Sequence, residues 1–506
     1  MGAEPRSPAA GTAYAATSDD ATASGAQAQA TAPSESAPAS PTAKICGSSR
    51  LRGPSTRPKG SVRVSTTANL ASVVSNKPAG TTFWLTPGVH SIGGGAYDSV
   101  EPQNHDRFVG APGAIISGRH TNLYAFVGHA KDVSIEYLTI EDFGRPGDNN
   151  NEGVVNHDSA SYWTIRWTTI QDNAGAGTMI GSHNVLSHDC LKDNGQYGFN
   201  AYSDSGVGYV SLIANEISGN NTDNWEVREP GCGCTGGGKF WDTRHARIVG
   251  NYLHGNHGVA LWADTNNRDF LIEDNYFSSN DDAGVMYEIS YNVRIVHNTF
   301  VRNAIVDGPE NPGFPTGAIY LSESGSDPRV KGAYGAKTVI AGNTFTDNWS
   351  GIVLWENADR FAGSPDNSSS GVTTLVAPKV ATLKACSTPS LIRKKPYVDD
   401  CRWKTQNVSV SYNSFRFTPS HIGSRCTVAN ACGFNGIFSN YGSDPAWSPY
   451  KGTVVEKHIT FSQHNKFSHN TYVGPWRFVI LEVGHVVSWN TWRSAAYAQD
   501  PASTRS

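Results

Sequence analysis

The stretch GVALWADTNNRDFLIEDNYF, residues 258–277, decides how this chain folds, because the chain repeats it almost at once as GVMYEISYNVRIVHNTF, residues 284–300. In each copy a glycine opens a short apolar stretch and an acid follows, Asp264 in one and Glu288 in the other. Polar turn residues come next, then an apolar run closing on Asn-Tyr-Phe or Asn-Thr-Phe. The closing unit recurs as LIANEI (212–217), IVGNYL (248–253), IAGNTF (340–345) and VSYNSF within 408–415. Asn251, Asn275 and Asn298 are 24 and 23 residues apart, and Asn298 and Asn343 are 45 apart, close to two periods. Short strands returning at such a period, with turns between them, predict an all-β solenoid: a right-handed parallel β-helix. One coil cannot bury its apolar face alone. Coils stacked about 4.8 Å apart bury it and pair their backbones. The recurrent asparagines are then expected at bends, each bonding its counterpart on the next coil.

Composition agrees. Of 506 residues 52 are glycine and only 3 methionine, and charged residues make up 17 %. That balance suits strands and turns rather than helices. A net charge of −4 does not favour a nucleic-acid partner, and no apolar run reaches membrane-spanning length. Eight cysteines suggest an exported protein. Cys386 with Cys401 and Cys426 with Cys432 are spaced to close short loops, and Cys232-Gly-Cys234 reads as disulfide-forming rather than as a zinc site, while Cys46 and Cys190 stay unassigned.

The organisation expected is a low-complexity, disordered N-terminal segment over 1–60, too poor in large apolar groups to fold. A cap over 61–107 follows, then coils over 108–358, an irregular insertion over 359–405, further coils over 406–494 and a tail over 495–506. No signal peptide is visible, so export rests on composition alone.

Several stretches carry a resemblance: NEGVVNHD (151–158), CGCTGGGKFWDT (232–243), GVALWADTNN (258–267), VMYEISYN (285–292), YLSESGSD (320–327), VLWENADRF (353–361), DDCRWKTQNVSV (399–410) and GPWRF (474–478). On these the chain resembles the right-handed parallel β-helix proteins of the pectate-lyase-like superfamily, more narrowly a secreted, actinobacterial-type β-helix-repeat family. The resemblance implies the fold. It leaves the reaction open, since the fold hosts lyases, hydrolases, epimerases, tailspikes and adhesins, and it assigns no catalytic residue.

Counted from the glycine of each coil, Asp242, Asp264, Glu288, Glu323 and Glu356 fall at offsets of four to six. Equal offsets stack in a solenoid, so these acids are expected in one stripe. Crowded carboxylates drive some pKa values up, which suits a general acid paired with a base, and glycoside hydrolysis needs such a pair. Trp241, Trp262, Tyr287, Tyr320 and Trp355 sit at neighbouring offsets, where aromatic faces would stack on sugar rings. Asp264 and Glu288 are the expected acid/base pair. Lys239, with Arg244, is a candidate cation or base for a polysaccharide lyase; Ca²⁺ held by the acids is the other source of positive charge. The insertion 221–235, carrying Trp225, is expected to wall a cleft. The expected activity is cleavage of a polysaccharide or oligosaccharide by an extracellular monomer, as hydrolase or lyase. The alternative is a non-catalytic, glycan-binding or adhesin-like surface β-helix.

Overall fold

The computed structural model describes residues 40–506 except 146–152, 231, 235, 331, 333–336, 366, 368–378, 441, 443, 453 and 483. Three long sheets run the length of the chain, with 15, 13 and 11 strands. The chain visits them in turn, one short strand per sheet per coil. Among the described residues every strand pair is parallel except Arg477–Leu481 with Val486–Val487. Residues 1–39, most of the expected low-complexity segment, lie outside the described part.

The core follows from the repeat. In the first sheet Leu212, Ile248, Ile272, Ile295, Ile340 and Val410 are consecutive register partners, all buried. In the second, Phe277, Phe300, Phe345, Phe415 and Tyr472 stack with centroids 4.6–4.9 Å apart. Burying each such side chain is worth about 1.5–3 kcal/mol, and like sits on like because the register is in phase with the repeat.

Two corners are held by amide ladders. At the first–second sheet corner the backbone N–H and Nδ2 of Asn251 both donate to Asn275 Oδ1 at 2.9 Å, and Asn275 does the same to Asn298. The ladder runs on through Asn343 and Asn413 to Asn470. At the second–third corner a parallel ladder runs Asn173, Asn194, Asn220, Asn256, Asn280, Asn303 and Asn348. The residue before a ladder asparagine takes a positive φ: Gly250, Asp274, His297 and Gly342 at one corner, Asp193, Gly219, Gly255 and Ser279 at the other. One left-handed residue bends the strand sharply. The asparagine then satisfies the backbone groups that the bend would leave buried and unpaired.

The helix Leu70–Ser75 buries Leu70 and Val74 near the N-terminal end. Strands Val62–Val64 and Thr82–Leu85 already belong to the first sheet, so stacking begins before residue 108. Residues 40–60 are packed, not loose: Ala43 and Ile45 are buried, Cys46 is bonded to Cys190, and the Ile45 and Cys46 amides donate to Glu216 Oε2. The last residues are docked as well. Thr504–Arg505 pairs with the second sheet, and buried Asp500 accepts from Tyr472 Oη and Trp492 Nε1. The Cys386–Cys401, Cys426–Cys432 and Cys232–Cys234 bridges are present.

Candidate functional site

Strands of the third sheet alternate inward and outward residues. Ala201, Phe240, Ala263, Tyr287, Leu321, Leu354 and Ile437 form its inward column. Two columns face outward. One is Lys239, Trp262, Met286, Tyr320 and Val353; the other is Trp241, Asp264, Glu288, Ser322 and Trp355. Asp264 and Glu288 therefore stand on adjacent coils at the same register, with backbones about 4.8 Å apart.

Each of the two carboxylates has its own setting, and both are nearly buried. Asp264 Oδ2 meets Lys239 Nζ at 2.8 Å, and Oδ1 accepts from Thr265 Oγ1 at 2.9 Å. The Lys239 ammonium lies 4.0 Å above the Trp262 ring and donates to the Gly233 carbonyl at 2.8 Å. Glu288 Oε2 accepts from Trp262 Nε1 at 2.9 Å, and Oε1 meets Arg360 Nη1 at 3.1 Å. The same Arg360 nitrogen lies 3.2 Å from Glu323 Oε2. One guanidinium thus serves two carboxylates. Burial holds the Glu323 carboxyl above its usual range, against the opposing pulls of Arg360, the Ser322 hydroxyl and the Asn357 amide. Burial also raises the Tyr320 hydroxyl, with Glu288 adding to it.

The expected single acid stripe is corrected to two rows. Asp264 and Glu288 point outward from their strands. Asp242 and Glu323 lie one residue further on, with Thr265 and Ile289 between them in the same row, all four at positive φ. This corner is tied by Asn267, Ser290 and Ser324. Asp242 faces Arg244 at 3.6 Å, a pair at the corner. Glu356 is fully buried, and it accepts from Arg402, the Thr405 amide and Gln463. It is a structural anchor for the 401–405 segment. Tyr287 is also corrected: it is core, with its hydroxyl donating to the Tyr291 carbonyl at 3.1 Å. A one-residue slip in counting moves a side chain to the other face of a strand, which is the error made at Tyr287. Trp225 is buried in the short helix Trp225–Arg228 with the Arg228 guanidinium 5.5 Å from its ring, so it packs the insertion.

The insertion does reach the site, through Gly233. Its carbonyl touches Lys239, and a Cβ there would lie 2.9 Å from Trp262. Beyond Glu288 the outward surface turns apolar. Phe314 packs edge-on against Trp355 and Phe438 at 5.6 and 5.5 Å, next to Tyr320. Three participants were missed from sequence: Arg360, Tyr197 and the Gly233 carbonyl. Arg360 and Gly233 sit in irregular segments with no repeat to count from, and Tyr197 precedes the glycine that was counted. Among the described residues no group of three or more His, Cys, Asp or Glu is placed to hold a metal ion. Asp264, Glu288, Glu323 and Glu356 each face a cation of the chain itself, where Ca²⁺ was the other option.

A family model described as right-handed β-helix region matches residues 152–333. No curated protein matches. Among solved structures, the catalytic unit of an α-1,3-glucanase from Streptomyces thermodiastaticus is similar at 14 % identity and a TM-score of 0.48, covering 71 % of this chain, and the chain spans 60 % of that protein's length. The A-module of a mannuronan C-5 epimerase from Azotobacter vinelandii is similar at 12 % identity and 0.38, covering 69 % of this chain and 88 % of the module. A DFA-IIIase from Arthrobacter chlorophenolicus is similar at 10 % and 0.32, covering 66 % of this chain and 83 % of its own. With three stacked parallel sheets and a family match across its central coils, the chain is a right-handed parallel β-helix.

Proposed function

We propose that this chain is a carbohydrate-active enzyme that cleaves glycosidic bonds of a polysaccharide on the outward face of its third sheet. The observation that carries the reading is that Asp264 and Glu288 are register neighbours in different electrostatic settings. Two carboxylates set apart by their surroundings are what acid/base cleavage of a glycoside requires. Asp264, paired with the Lys239 ammonium at 2.8 Å, is assigned as base or nucleophile. Glu288 and Glu323 share one guanidinium, and burial holds the Glu323 carboxyl above its usual range, so this pair is assigned as the source of a proton. Glu288, on the outward column, passes it to the leaving oxygen. Trp241 and Trp262, half-buried on the same face, offer flat surfaces for sugar rings. Four disulfides fit an extracellular protein, and the chain is read as a monomer.

A second reading has one specific support. Arg360 offers the charge that would neutralise the carboxylate of a uronic acid, and Lys239, once its ammonium has given up a proton, offers the neutral amine that would take the proton in β-elimination. A panel of plant, algal and bacterial polysaccharides separates the two. New reducing ends without the ultraviolet absorbance of an unsaturated product are expected. Asp264→Asn and Glu288→Gln should each lower turnover by about a thousandfold in protein that remains folded. The absorbance would establish elimination instead, and full turnover in both variants would sink the assignment.

A further inference from the structure

Lys239 is a long, flexible side chain that follows three glycines, Gly236, Gly237 and Gly238, so on its own strand only Trp241, whose ring centroid lies 5.8 Å from the ammonium, flanks it. It is nevertheless held at one point, with its side chain 13 % exposed. Asp264 accepts one hydrogen bond from it. The Gly233 carbonyl accepts another at 2.8 Å. That carbonyl also accepts from the Tyr197 hydroxyl at 3.0 Å, and Tyr197 is buried. Gly233 itself sits between two bonded cysteines, Cys232 and Cys234, at φ +58. Its Cα side faces Trp262, where a methyl group would lie 2.9 Å from the ring and 3.4 Å from Lys239 Nζ.

We infer that the Cys232–Gly233–Cys234 turn is the positioning element of the site. The disulfide closes a small ring around Gly233 and fixes the direction of its carbonyl, and Tyr197 anchors that carbonyl from below. The carbonyl in turn seats the Lys239 ammonium on Asp264 and on the face of Trp262. Glycine is required because the left-handed backbone and the approach of Trp262 both exclude a side chain. The turn touches no reacting atom; it acts through Lys239. The kinetic consequence rests on the reading of Asp264 as a reacting carboxylate, but the geometric one does not.

The test uses the full chain with its other three disulfides intact, comparing wild type with Cys232→Ser/Cys234→Ser, Gly233→Ala and Tyr197→Phe. Acetic anhydride labelling followed by mass spectrometry reads the accessibility of Lys239, with Lys192 on the second sheet as internal reference. Labelling of Lys239 should speed up about tenfold in the double-serine variant, the factor expected for one lost hydrogen bond to a charged group, while Lys192 is unchanged. On a polysaccharide that is turned over, kcat should fall about tenfold with KM moved less than about twofold, and the pH profile should shift, because the lost contact orients a reacting group instead of binding sugar. If the double-serine variant fails to fold, Lys192 also speeds up, and Tyr197→Phe decides by the same readout. Wild-type labelling of Lys239 in every folded variant would overturn the inference. Wild type with no turnover on any polysaccharide would remove the proposed function and leave the labelling result to stand alone.

Discussion

Replacing Asn275 by alanine tests the corner ladder most directly. The side chain is 2 % exposed. Its Oδ1 accepts from the Asn251 backbone N–H and from Asn251 Nδ2, both at 2.9 Å. Its Nδ2 donates to the Ile248 carbonyl at 2.8 Å and to Asn298 Oδ1 at 2.9 Å. Alanine removes all four, while the Asn275 backbone N–H keeps its own bond to Asn298. At about 1 kcal/mol net per bond the loss is about 4 kcal/mol, the Asn251 N–H and the Ile248 carbonyl being left buried without these partners. Backbone strain adds nothing, since the left-handed residue is the preceding Asp274. Aspartate keeps the two acceptor contacts but turns an oxygen toward the Ile248 carbonyl and Asn298 Oδ1. It should therefore cost at least as much as alanine at neutral pH and recover part of the loss in acid. The chain already holds the exception. Asp189 stands further up this ladder, its backbone N–H donating to Asn215 Oδ1 and Asn215 Nδ2 donating to Asn251 Oδ1, and its own side chain has only to accept, from the Thr168 and Ser187 amides. A solenoid can open coil by coil, so the assay is native-state hydrogen exchange at the Asn251 and Asn275 amides together with urea unfolding. Less than about 1 kcal/mol in both readouts, against a net of about 1 per hydrogen bond, would refute the claim that the amide ladder holds the corner.

Two further outcomes are expected. Arg360→Ala removes the cation that holds the Glu323 carboxyl down and that Glu288 shares, so the alkaline limb of any activity–pH profile, which the proton donor sets, should move upward; an unmoved profile would remove Arg360 from the site. Buried Glu136 has its carboxyl below the ordinary glutamate range: burial pushes it up, but the bonds and charges of Arg107 and Arg166 and the Ser134 hydroxyl outweigh that. Its contribution to stability is thus present above the unfolded value and lost as pH falls through the lower folded one, so Glu136→Gln should flatten the acid side of a plot of denaturation midpoint against pH, and an unchanged slope would contradict the ion-pair account.

The repeat by itself determined the all-β solenoid, the stacking of Phe277 on Phe300, the asparagine ladders and the alignment of Asp264 with Glu288. Each of these depends on in-phase stacking of short periods, and a period can be counted along the chain. The same counting failed by one residue at Tyr287 and at Asp242 and Glu323, because strand parity changes face with every step and the bends between strands differ in length. What only the tertiary structure decided is the surroundings of the acids. Arg360 arrives from the irregular segment after the strand Ser350–Asn357, Arg402 from the far end of the same insertion, and the Gly233 carbonyl from the disulfide turn. The Cys46–Cys190 bridge spans 144 residues, and the Glu216 contacts beside it join residues 170 and 171 apart. Such partners carry no periodic signature, since their approach is set by how long, irregular loops fold back onto the rigid coils. The contacts that reach Asp264 through Lys239 and Glu288 through Arg360 are shaped by those loops.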